Sequence, residues 1–276
     1  MAVCEVCFRH CDLKEGATGA CGARTCVEGS VISSNYGRIT SLALDPIEKK
    51  PLSRFHEGSM ILSVGSFGCN LFCPFCQNHD ISRSKGDEFD QKITPEKLTE
   101  LALKYRDRGN IGVAFTYNEP LISYEFILDT ARLVKAQGMV NVLVTNGTCE
   151  LPVLEKILPY IDAMNIDLKS MSEKTYKEVL GGDLDSVKAF IRRSAEECHV
   201  ELTTLIVPGM NDSEEEMRSI VDFIAGLPGG ESIPYHISRF FPRYNMTDRE
   251  ATEVSWIYHL ADIARTKLKF VYTGNC

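Results

Sequence analysis

Three cysteines in the first third of the chain carry the strongest chemical signal. The run Gly68-Cys69-Asn70-Leu71-Phe72-Cys73-Pro74-Phe75-Cys76-Gln77-Asn78 sets Cys69, Cys73 and Cys76 at a Cys-x3-Cys-x2-Cys spacing. Thiolates are soft ligands for iron, and each iron of a four-iron cluster takes one. Three thiolates leave one iron open to a small molecule, which a closed electron-transfer cluster does not. Zinc suits the spacing poorly, because it takes four tetrahedral ligands, commonly from paired Cys-x-x-Cys knuckles.

More cysteines crowd the N-terminus. Cys4, Cys7, Cys11 and Cys21 follow a Cys-x2-Cys-x3-Cys-x9-Cys spacing. They offer four soft ligands to a stretch too short to build its own core, so a metal is expected to supply folding energy. Zinc and an auxiliary iron–sulfur cluster both suit four thiolates. Cys26 stands in reserve, with His10 a weaker substitute. The competing reading is free thiols on a flexible leader. Cys149, Cys198 and Cys276 are isolated and read as small packed or peripheral residues. Eleven cysteines in 276 residues suit a reducing compartment, where thiols stay available for metal and redox chemistry.

From residue 60 onward, short apolar runs alternate with amphipathic stretches. Strands are predicted at 60–66, 111–116, 140–145, 161–168, 200–207, 232–238 and 268–272. Helices are predicted near 95–108, 122–137, 151–158, 184–197, 213–226 and 250–266, with a further one at 172–180. Thr94 before Pro95 reads as an N-cap, Ser213 with Glu216 as a capping box, and Gly138 as a helix stop. Such alternation implies parallel strands with right-handed crossovers. The expected fold is α/β, a partial (β/α)6 TIM-like barrel over residues 60–276. Its site would sit at the carboxyl ends of the strands. Residues 1–30 form the Cys-rich extension, and 31–59 a hairpin turning at Asn35-Tyr36-Gly37 followed by a loop.

Bulk properties narrow the partners. Net charge is −8, which argues against nucleic acid or an anionic membrane as the main partner. No apolar run approaches a membrane span, and the N-terminus lacks the features of a signal peptide, so a cytoplasmic location is expected.

The cluster-binding loop resembles that of the radical S-adenosylmethionine (SAM) superfamily, in which an aromatic residue precedes the third cysteine; Phe75 fills that place. The resemblance implies a 4Fe–4S cluster on Cys69, Cys73 and Cys76, with SAM chelating the open iron and Phe75 near the adenine. Gln77-Asn78 is similar to the His-Asn of pyruvate formate-lyase activating enzymes. Further likenesses fall at strand ends. Asn118 and Glu119 stand where the superfamily often has Gly-Gly-Glu, the turn that meets SAM's amino group. Thr145-Asn146-Gly147 resembles an Asp-Thr-Asn-Gly motif, with Val144 in place of the aspartate. Asp167 and Lys169 match an Asp-Leu-Lys and would hold SAM's ribose and carboxylate. Leu205 and His236 resemble the nucleoside-side walls, and Thr203 replaces an arginine. Narrower still, Tyr36-Gly-Arg, Asp45-Pro-Ile-Glu-Lys-Lys-Pro-Leu and Arg239-Phe-Phe-Pro look like the radical SAM member of the AmmeMemoRadiSam group, which is associated with AMMECR-type and Memo-type proteins.

Basic residues near the expected barrel mouth, Lys49, Lys50, Arg239 and Arg243, are the candidates for substrate contact and would suit a carboxylate or phosphate. The expected function is reductive cleavage of SAM and hydrogen abstraction from a small molecule, with a flavodoxin or ferredoxin as electron donor. One alternative is an activase that places a glycyl radical on a partner protein. Val144 and Thr203, where the activases have aspartate and arginine, tilt against it. A second alternative is a non-catalytic zinc or electron-transfer module.

Overall fold

The computed structural model describes residues 1–86, 88 and 91–276. Two short hairpins open the chain, β1 (Ala2–Val3) with β2 (Asp12–Leu13), then β3 (Arg24–Val27) with β4 (Ser30–Ser33). The strands that follow are β5 (Ser41–Pro46), β6 (Met60–Gly65), β7 (Asn110–Phe115), β8 (Val140–Thr145), β9 (Ala163–Asp167), β10 (His199–Ile206), β11 (Tyr235–Arg239) and β12 (Val271–Gly274). These form one 8-stranded sheet in sequential order from β12 to β5. Strands β6 to β12 run parallel and β5 is antiparallel to β6. The sheet has two edges, β5 and β12, so it is a partial barrel rather than a closed one.

A single turn, α1 (His79–Ser82), lies just past Cys76. The helices that pack on the outer face are α2 (Pro95–Lys104), α3 (Tyr124–Ala136), α4 (Leu151–Ile157), α5 (Leu184–Ala195), α6 (Glu214–Ala225) and α7 (Val254–Arg265). Local chemistry sets their ends. Thr94 Oγ1 accepts the Lys97 N–H at the start of α2, and Gly138 takes φ +67° just past α3. Ser213 Oγ accepts the Glu216 N–H. The expected capping box is only half made. The Glu216 carboxylate turns away to accept from Ser170 Oγ and the Met171 N–H, two donors in the loop after β9. The stretch expected as a helix at 172–180 is a π-helical turn over Thr175–Leu180.

The expected hairpin over 31–44 is not formed. The chain turns earlier, at Glu28-Gly29, both with positive φ, as a tight hairpin between right-twisted strands demands. Residues 41–46 pair with β6 instead, where Leu42 and Leu44 meet Val64 and Leu62.

Alternation divides each parallel strand into two faces. Leu62, Val113, Leu143 and Met164 point out to the helices in the main core. Ile61, Ala114, Val142 and Ala163 point inward and form a separate cluster with Ile47 and Leu52 from the loop after β5. That loop closes the lower end of the barrel. Asn165 Nδ2 donates to the Pro51 carbonyl at 2.8 Å, and the buried Glu201 carboxylate accepts the Ser53 and Arg54 N–H groups. The open end therefore lies at the carboxyl ends of the strands, where every sequence-derived candidate on β7 to β10 is found. Among the described residues, no helix is long and apolar enough to cross a membrane.

Candidate active site

The cluster-binding loop follows β6 and is pinned from several sides. Asn118, just past β7, accepts the Ser66 N–H at 3.1 Å and donates to the carbonyls of Phe67 and Gly68. Arg83 donates to the carbonyls of Cys69 and Leu71, and Arg9 to that of Asn70. These two guanidiniums flank the Phe72 ring, each 4.4 Å from its centre. Gly68 has φ +88°, and a Cβ there would stand 2.6 Å from the Cys21 carbonyl oxygen. Only glycine allows that approach. The loop that carries the three thiols thus has little freedom of its own.

The sulfurs have soft surroundings. Asn146 Nδ2 lies 3.8 Å from Cys69 Sγ, and Ser82 Oγ 3.3 Å from Cys76 Sγ. Burial pushes the Cys69 thiol up, with the charge of Glu119 adding to it. Burial also raises Cys73, to about 11, against the pull of the Lys169 cation. Such thiols give up their protons to a metal rather than to water.

Loops after β7 and β8 are locked together by Glu119. Its buried carboxylate accepts from the Leu121 N–H, the Thr145 hydroxyl and the Asn146 N–H. Burial raises this carboxyl to about 7 despite those three donors. Thr145 and Asn146 are therefore held by Glu119, and Asn146 in turn faces Cys69 and the Asn70 side chain. At the end of β9, Lys169 Nζ pairs with Asp167 Oδ2 at 2.9 Å, partly buried rather than on open surface. Thr203 is the register partner of both Asp167 and His236, so the three form one row across β9, β10 and β11 on the inner face. His236 donates to Glu201 Oε2 at 2.6 Å and stacks on Tyr272. Leu205 is half-buried two residues beyond Thr203, on the same face. Phe75 is buried in the main core; Gln77 and Asn78 are exposed, with Asn78 Nδ2 donating to the Tyr117 carbonyl.

The four basic candidates separate. Lys50 is buried, 2.8 Å from Asp45 Oδ2, and the Tyr117 hydroxyl donates to the same oxygen. Burial lowers Lys50 against the pull of Asp45, and burial plus Asp45 push Tyr117 up to about 12. Lys49 is exposed beside Asp45. Arg239 donates to the Thr252 carbonyl and lies over Phe241, while Arg243 is exposed.

Sequence reasoning missed several participants. Tyr117 holds φ +75°, an unusual conformation for a side chain of its size. Tyr244 stacks on His79 at 4.5 Å, and the Asn245 N–H donates to the Pro74 carbonyl, so the loop after β11 docks on the cluster loop. Tyr244 is legible in the sequence as a candidate for substrate contact in the loop after β11, but its stacking on His79 is not; Asn245 carries no spacing signal, because long-range contacts of a loop leave none.

The sequence profile of the Radical SAM superfamily matches residues 63–224. The chain belongs to the radical SAM superfamily. An uncharacterised protein of Methanocaldococcus jannaschii is 39% identical over 275 residues, 99% of this chain and 80% of that protein. The pyruvate formate-lyase-activating enzyme of Clostridium pasteurianum is 30% identical over 189 residues, 65% of this chain and 77% of that enzyme. In fold, Streptococcus suis SuiB bound to S-adenosylmethionine superposes with a TM-score of 0.61 at 15% identity, over 78% of this chain and 52% of that one. This chain is thus a radical SAM enzyme related to pyruvate formate-lyase-activating enzymes, and the family implies a 4Fe–4S cluster and SAM. The residues present fit that implication. The hydrogen-bonding neighbours of the Cys69 and Cys76 sulfurs are an amide and a hydroxyl, not a fourth strong iron ligand.

Proposed function

We propose that this radical SAM enzyme abstracts hydrogen from a small molecule held inside the barrel, next to SAM. Cys69, Cys73 and Cys76 would hold the 4Fe–4S cluster. When bound, that cluster supplies the electron that splits SAM into methionine and a 5′-deoxyadenosyl radical. Around it, this chain's own residues bind and orient. Lys169 would meet SAM's carboxylate, with Asp167 fixing its ammonium and facing the ribose. Asn118 and Glu119 shape the turn offered to the amino group, and Asn146 rests against Cys69. Phe75, Leu205 and His236 are the proposed nucleoside-side walls, with Thr145 and Gln77-Asn78 at the margin.

The observation that carries the substrate class is the closed lower end of the barrel combined with the buried Lys50–Asp45–Tyr117 group. A buried ammonium, carboxylate and phenol together suit a compact polar molecule better than an extended chain. Val144 and Thr203, neutral where the activases carry charge, point the same way. A flavodoxin or ferredoxin is the proposed electron donor, AMMECR-type and Memo-type proteins are proposed partners, and the cytoplasm is the proposed location.

Reduced enzyme, SAM and candidate deuterated metabolites supply the test. Deuterium should appear in 5′-deoxyadenosine with wild type, and SAM cleavage should vanish in Cys73→Ala. A glycyl radical signal arising on an added partner protein, with no metabolite transferring deuterium, would replace this reading by the activase one.

A further inference from the structure

We infer that Cys4, Cys7, Cys11 and Cys21 hold a second iron–sulfur cluster, closed by four thiolates and placed against the loop that carries Cys69. All four are free thiols, and together with Arg9 and Arg24 they line one largely enclosed cavity. The other N-terminal candidates are engaged elsewhere. Cys26 Sγ faces Glu15 at 3.9 Å, and His10 pairs with Glu150 at 3.3 Å. The four sulfurs are thereby singled out by geometry rather than by spacing alone.

Burial raises the Cys7 and Cys21 thiols, against N–H donors from Asn70 and Arg9 on Cys7 and from Ala23 and Arg24 on Cys21. The apolar core of this stretch is small: Cys4, Val6, Leu13 and Cys26, two of them cysteines, with Ala2, Val31 and Tyr124 packed against them.

Four thiolates can each take one iron of a four-iron cluster, and the adjoining loop that carries Cys69 gives such a cluster an electron acceptor, which a redox-inert zinc ion could not serve.

Two links join this site to the first. The Cys69 N–H donates to the Cys21 carbonyl at 3.1 Å. Asn70 bonds to Cys7 through one side and to Asn146 through the other, and Asn146 reaches Cys69 Sγ. A cluster closed by four protein ligands binds no substrate, so its chemistry is one-electron transfer. One electron would leave the reduced second cluster, oxidising it, and reduce the first; a one-electron protein reductant would restore it. This role rests on the radical SAM reading, whereas the metal content does not.

The experiment reads iron, sulfide and zinc on the full chain after anaerobic reconstitution. Wild type should bind about eight irons, as two four-iron clusters require. Cys69→Ala/Cys73→Ala/Cys76→Ala should keep about four, as one does, with a reduced paramagnetic spectrum that SAM leaves unchanged. Cys11→Ser should lose the N-terminal cluster, while Cys26→Ser should keep full iron. About one zinc and no iron in the triple variant would overturn the proposal, as would an equal iron loss in Cys26→Ser and Cys11→Ser. A wild type with both clusters that fails to cleave SAM would instead strike the proposed function and leave this site standing.

Discussion

The backbone N–H of Cys69 donates to the carbonyl of Cys21 across 3.1 Å. A residue of the N-terminal extension thus fixes the first cysteine of the cluster-binding loop, and the neighbouring Gly68 makes room for the contact.

Gly68→Ala is expected to break that contact. Its Cβ would lie 2.6 Å from the Cys21 oxygen, at φ +88° where L side chains are strained. The strain costs on the order of 1–3 kcal/mol. Denaturant midpoints should fall and reconstituted iron should drop with them. A variant with unchanged midpoint and full iron would show that the approach of the two backbones is not needed.

Glu119→Gln should loosen two loops at once. The carboxylate accepts three hydrogen bonds, and an amide must turn its NH2 toward one of those donors. The mismatch costs about 1–3 kcal/mol. Because Asn146 hangs on Glu119 and faces Cys69, SAM affinity should weaken more than in a distant surface variant of equal stability. Binding measured by the change in the cluster spectrum checks this.

Acid sensitivity should trace to Glu201. Burial acts to raise this carboxyl, but donors from His199, His236, Ser53 and Arg54 outweigh it and hold the group near a pKa of about 2, against an ordinary 4.5. A depressed carboxyl gives stability that is present above the unfolded value and lost as pH falls through the folded one. Between about pH 5 and pH 3 this group alone should lose about 2 kcal/mol, because each pH step of one below the unfolded pKa removes about 1.4 kcal/mol. In Glu201→Gln the midpoint should start lower and fall less steeply over that window. Parallel pH profiles would remove Glu201 as the cause.

Lys50→Met should separate substrate from SAM chemistry. It strands Asp45 without its buried cation, which costs roughly 3 kcal/mol. SAM cleavage should persist, whereas deuterium transfer from the true substrate should fall by at least about tenfold, a loss of one contact worth about 1.4 kcal/mol. Equal loss of both would assign Lys50 to the fold alone.

The barrel is legible in the sequence because its strands are short apolar runs divided by capped helices, and period and caps are local. All seven parallel strands lie close to where the pattern predicts them. The antiparallel edge β5 is not legible. Its partner is set by Leu42 and Leu44 meeting β6, a non-local pairing that a turn signal at Asn35-Tyr36-Gly37 obscures. In the site, the pairing of Asp167 with Lys169 follows from alternation, and the structure brings them together. The contacts of Asn70, Arg9 and Tyr244 are silent because each acts on a residue far along the chain. Lys50 and Lys49 look alike in sequence; only the burial of one tells them apart.

The segment bearing Ile47 and Leu52 acts as a stopper at the lower end, so guests approach from the carboxyl ends of the strands. Traffic from one end imposes an order. Whatever seats deepest has to arrive first and depart last, and a later guest, once in place, shuts the earlier one away from water until it leaves.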